Sequence, residues 1–121
     1  YQKTAEENSD FSRFSALRML VTTYLAQMKW ADAVKTSQKI LLDYSRSPYL
    51  DWPTAVAMIY SINTVSVSKL QDTTQPIAFY QMFIEKQPGH PLNHILKDVI
   101  ISLNGLKSDE NAEVKRSIAI K

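Results

Sequence analysis

Residues 30–53 read WADAVKTSQKILLDYSRSPYLDWP. Trp30, Ala33, Val34, Ser37, Ile40, Leu41 and Tyr44 recur at three- and four-residue steps, the spacing of one face of an α-helix. The run SRSP at 45–48 stops that helix, because Pro48 disfavours helical backbone at the residue before it. Asp51-Trp52-Pro53 then opens another helix. Proline is tolerated in a first turn, where its missing N–H has no intrahelical partner. One helix thus ends, a short Pro-bearing turn follows, and a second helix begins.

The same grammar extends in both directions. On the N-terminal side, Phe11, Phe14, Leu17, Val21, Tyr24, Leu25 and Met28 fall on one helical face. Ser9 or Asp10 is the expected N-cap, and residues 1–9 the expected frayed lead-in. A break at Gln27–Lys29 separates this helix from the one at Trp30. On the C-terminal side, Ala55, Val56, Ile59, Tyr60 and Asn63 carry the third helix. TVSVSKL at 64–70 alternates like a strand, yet a lone strand has no partner, so a helix end is expected there. Asp72 to Gln75 caps a fourth helix near Pro76, with Ile77, Tyr80, Phe83 and Ile84 on its face. QPGHP at 87–91 ends it. Leu92, Ile95, Leu96, Val99, Ile100 and Leu103 mark a fifth, with Gly105 as its C′ stop. Residues 106–121 form a short helix or a tail.

The expected fold is therefore all-α: five to six antiparallel helices with short connections, in a single domain spanning 1–121. Composition agrees with that size. The chain has 121 residues, 45% hydrophobic and 21% charged, enough for one core without staples. It has no Cys, which removes disulfides, thiolate zinc sites and thiol nucleophiles. Its 2 Gly cannot build a P-loop or a dinucleotide fingerprint. No apolar run approaches the length of a membrane span. The formal charge is +2, and the 14 basic residues are scattered, which argues against nucleic acid as the partner. Because it starts at Tyr1 rather than Met, the chain is expected to be a processed or excised piece.

A weak internal repeat is visible at an offset of 43 residues. Ile40-Leu41 aligns with Phe83-Ile84, Val34 with Ile77, Ser37 with Tyr80, and SRSP with PGHP. At this point the sequence resembles a tetratricopeptide-type helical repeat. Tyr24, Trp30 and Ala33 fall where that family places an aromatic late in the first helix, then an aromatic and a small residue early in the second. LLDYSRSP and FIEKQPGHP resemble the Pro-bearing repeat endings of bacterial envelope-assembly members. The departures are Val21 and Ile40 at positions that are small in the family, Pro76 at the second repeat's small position, and Ser45 where Pro is usual. The period of 43 also exceeds the family's usual repeat of about 34.

The resemblance implies stacked hairpins in a short solenoid over residues 11–104. It also implies a groove lined by first helices, a peptide or helix of another protein as partner, and no enzymatic step. It leans towards a bacterial periplasmic or envelope setting, with further repeats or self-association at the apolar end Ser117–Ile120. Arg18 and Thr22 are the groove residues it implies, where family members hydrogen-bond a bound peptide. Tyr49 and Trp52 flank the 48–53 turn and are candidate interface anchors. No cofactor is implied. His90, His94 and Asp98 have helical spacing for a divalent metal, but Pro91 puts His90 in a turn, so turn and cap roles are favoured over metal binding. The twelve acids fall mainly at termini, caps and polar faces, and no nucleophile elbow occurs. SDENAEVKR at 108–116 mixes charges of both signs, as a solvated helix does. The rival reading is a compact helical bundle with a regulatory or nucleic-acid-binding role.

Overall fold

The computed structural model describes the backbone of residues 2–120 and the side chains of residues 10–106. Among the described residues every regular element is helical and none is a strand. The elements are α1 (Gln2–Ala26), α2 (Trp30–Asp43), α3 (Trp52–Val65), α4 (Thr74–Lys86) and α5 (Asn93–Ile120). A five-residue π-helical turn, Ser66–Leu70, extends α3. The chain divides into two compact units, the second starting at Asp72. The division falls on the short non-helical link that follows the π turn.

Of three local expectations, two are revised and the third, a helix end at 64–70, is met. Helix α1 starts at Gln2 rather than near Ser9 or Asp10. QKTAEENS contains neither Gly nor Pro and is rich in helix formers, so nothing in it stops the helix. The expected stop at Gly105 is also overridden, since α5 runs on to Ile120. One glycine costs a helix only about 1 kcal/mol, and the residues after it include no Pro. The ambiguous segment 64–70 is helical, with its last five residues widened to π geometry. The side chains of the lead-in 1–9, of SDENAEVKR and of Ser117–Ile120 lie outside the described residues.

In the first unit, α2 packs against α1, against α3 and against the π turn. The α1–α2 corner turns at Met28, whose φ of 60 is left-handed. The Lys29 N–H donates to the Tyr24 carbonyl at 2.9 Å and closes it. Phe14 is buried, with its ring edge-on to Tyr44 at 5.2 Å. Ile40 is 0% exposed and, with Leu41, Ile59 and Ile62, fills the interior. Asp51 caps α3: its carboxylate accepts the Thr54 N–H at 2.9 Å, and proline occupies the first turn as expected. Lys69 of the π turn places its ammonium 5.4 Å from the Trp30 ring centroid, which ties the end of α3 to the start of α2.

In the second unit, α4 packs on α5. The buried faces are Ile77, Tyr80 and Phe83 on α4, and Leu96 and Leu103 on α5, with Leu92 buried in the turn just before it. The Asp72 carboxylate accepts the N–H groups of Thr74 and Gln75 at 2.9 and 3.2 Å and starts α4.

The 43-residue offset recurs in the backbone. Among the described residues two non-glycines have positive φ, Met28 at 60 and Gln71 at 51, and they stand 43 positions apart. Helix α2 shifted by 43 lies over α4. The turns after them match bond for bond. Tyr44 N–H to Ile40 O at 3.0 Å corresponds to Gln87 N–H to Phe83 O at 2.9 Å. Ser47 N–H to Tyr44 O corresponds to His90 N–H to Gln87 O, and Leu50 N–H to Ser47 O corresponds to Asn93 N–H to His90 O. The Ser47 hydroxyl accepts from Tyr49 N–H at 3.2 Å, and the His90 Nδ1 accepts from Leu92 N–H at 3.1 Å. Val34 and Ile77, Ser37 and Tyr80, and Ile40 and Phe83 are all buried pairs.

Candidate functional site

Helices α1 and α3 flank a cleft of about 340 Å³ with α2 at its floor. Arg18, Val21 and Thr22 form the α1 wall, and Pro53, Thr54, Ala57, Met58 and Ser61 the α3 wall. Ser37, 3% exposed, sits on the floor. The walls follow from helical spacing. Residues 18, 21 and 22 share a face of α1, and 54, 57, 58 and 61 share a face of α3. Small side chains at Ala57 and Ser61 leave the space between the helices open.

The charge in this cleft comes from Arg18. Its guanidinium carbon lies 5.8 Å from the Phe14 ring centroid, so the cation rests on an aromatic surface. The Asp51 carboxyl is held below its ordinary range by hydrogen bonds from the Thr54 hydroxyl and N–H, with a smaller contribution from the positive charge of Arg18. Thr22 donates its hydroxyl to the Arg18 carbonyl at 3.3 Å, a long local bond that leaves the oxygen free to accept. The cleft therefore offers one cation, several hydroxyls, and the apolar surface of Val21, Ala57 and Met58. No protein-family model, no curated protein and no solved structure matches this chain.

The structure brings Arg18 and Thr22 into one cleft and leaves Tyr49 and Trp52 outside its lining. Tyr49 is half-buried, edge-on to Phe11 at 5.3 Å and tilted against Phe14 at 6.1 Å. It is packed within the first unit. Trp52 is 50% exposed at the first residue of α3, beside the cleft residue Pro53. Sequence reasoning missed Ser37 and the whole α3 wall. The available signal was the hydroxyl and small residues Thr54, Ala57 and Ser61, which break the apolar pattern of an otherwise hydrophobic helix.

His90, His94 and Asp98 do not converge. His90 is half-buried, its Nδ1 engaged by Leu92 and its ring edge-on to Phe83 at 5.3 Å. His94 and Asp98 are exposed on α5, and no metal-holding cluster occurs among the described residues. A second groove, of about 630 Å³, runs between the first part of α1 and the end of α2.

Proposed function

We propose that this chain is a non-enzymatic, tetratricopeptide-like repeat module that holds a peptide or helix of another protein in the α1–α3 cleft. The observation that carries the reading is the recurrence at 43 residues of the left-handed corner, the second helix and the turn after it. A helical hairpin leaves one face unburied, and repetition of such hairpins is how repeat modules build both a core and a groove. Arg18 and Thr22 fix the register of the bound segment, and Val21, Ala57 and Met58 receive its apolar side chains. A bacterial envelope-assembly setting is part of the proposal and rests on the endings LLDYSRSP and FIEKQPGHP.

A random-peptide display library panned against the intact chain tests it. A selected peptide is titrated by calorimetry against the native chain and the double variant Arg18→Glu, Thr22→Ala. Charge reversal beside a bound segment should weaken affinity by about ten-fold or more. Unchanged affinity, with helical circular dichroism intact, removes the cleft from the function.

A further inference from the structure

The groove between α1 and α2 is separate from the cleft, and its charges are arranged differently. Asp10 and Arg13 stand on the α1 wall, Lys39 and Asp43 on the α2 wall, with Leu17 and Tyr44 between them. All four charged residues are exposed, and none has an ion-pair partner among the described residues. Two acids and two bases thus face one open groove.

Their order along the groove is set by the helix register. The Phe14 ring against Tyr44 at 5.2 Å fixes the level at which α1 and α2 meet. Asp10 lies one turn before Phe14 and stands at the end where Phe11 meets Tyr49. Arg13 and Asp43 adjoin Phe14 and Tyr44 in the middle. Lys39 lies more than one turn before Tyr44, towards the far end. The groove is acidic at one end, mixed in the middle and basic at the other.

That order is self-complementary under a two-fold axis. A second copy turned end for end brings its Lys39 to Asp10 and its Asp43 to Arg13, and the reverse contacts repeat both pairs. This is the reciprocal pairing an isologous interface requires. A copy laid the same way round would set like charges together. A ligand of a single sign would meet two repelling groups. The half-buried Leu17 and Tyr44 supply apolar surface, while the charges select the orientation.

The geometry points to a second copy of this chain as the occupant of the α1–α2 groove, in an antiparallel homodimer that leaves the α1–α3 cleft open. Sedimentation equilibrium on the full chain tests this across protein and salt concentration. So do two variants, Asp10→Lys with Asp43→Lys and Arg13→Glu with Lys39→Glu. The native chain should dimerise, more weakly at high salt. Each double variant alone should lose at least about ten-fold in dimer affinity, and an equimolar mixture of the two should regain it as a heterodimer. All four positions are exposed, so the helices should be unaffected; if circular dichroism shows otherwise, the single variants Asp10→Lys and Lys39→Glu are mixed instead. A native chain monomeric at every concentration overturns the inference. So do double variants that still self-associate, or mixtures that fail to pair.

Discussion

Replacing Ser66 with alanine should stabilise the protein. Ser66 is 1% exposed at the first residue of the π turn, and its hydroxyl has no hydrogen-bond partner among the described residues. A buried hydroxyl left unsatisfied costs about 1–3 kcal/mol. Alanine removes that cost and is a better helix former by roughly 0.5 kcal/mol. Against this stands the small void left by one oxygen, which costs about as much as a deleted methylene, ~1 kcal/mol. The balance is a gain of about 0.5–2.5 kcal/mol, or roughly 2–10 °C in melting temperature. The assay is guanidinium unfolding followed by circular dichroism, with a higher midpoint at unchanged slope. Ser68→Ala is the control, because that exposed hydroxyl donates to the Thr64 carbonyl and its loss should change little. A Ser66→Ala variant less stable than the native chain by 1 kcal/mol or more would refute the reasoning, since the hydroxyl would then be holding the turn together.

Three further outcomes are expected. Asp51→Ala removes the cap of α3 and should lower the melting temperature by a few degrees; because the folded carboxyl titrates below its unfolded value of 3.8, its contribution is present above that pH and fades as pH falls through the lower folded value, so the native and variant melting curves should converge in strong acid. Burial pushes the Tyr80 phenol far above its ordinary 10.0, so its contribution is complete below pH 10.0 and is lost as pH rises beyond it; thermal melts between pH 8 and 11 should show that loss, and Tyr80→Phe should flatten it. Met28→Gly and Gln71→Gly should each stabilise by about 0.5–1 kcal/mol, because left-handed backbone strains any side chain with a Cβ; chemical denaturation of each variant decides it.

The helices were legible because their apolar residues keep strict three- and four-residue steps, and Pro48 and Pro53 mark a stop and a start. The left-handed corners were not legible. Met28 and Gln71 carry none of the Gly or Asn chemistry that normally announces such a bend; the packing of the helices on either side imposes it. The turn acceptor was hidden for a related reason. A serine hydroxyl at 47 and an imidazole at 90 do the same work, and no residue alphabet equates them. TVSVSKL alternates small and branched residues like a strand, but the want of a partner strand already pointed to a helix end; what was not legible is its widening to π geometry. At the candidate site Arg18 and Thr22 stood out as polar residues between apolar ones. The α3 wall did not, because Thr54, Ala57 and Ser61 are small enough to pass for core in a hydrophobic helix.

Within each unit the helices that pack together are neighbours along the chain: α1 with α2, α2 with α3, α4 with α5. Folding therefore closes only short loops, and chains with such local partners typically fold in microseconds to milliseconds. The order of synthesis matters as well. Everything the first unit needs has been made by Gln71, so its interior can assemble while α4 and α5 are still being translated.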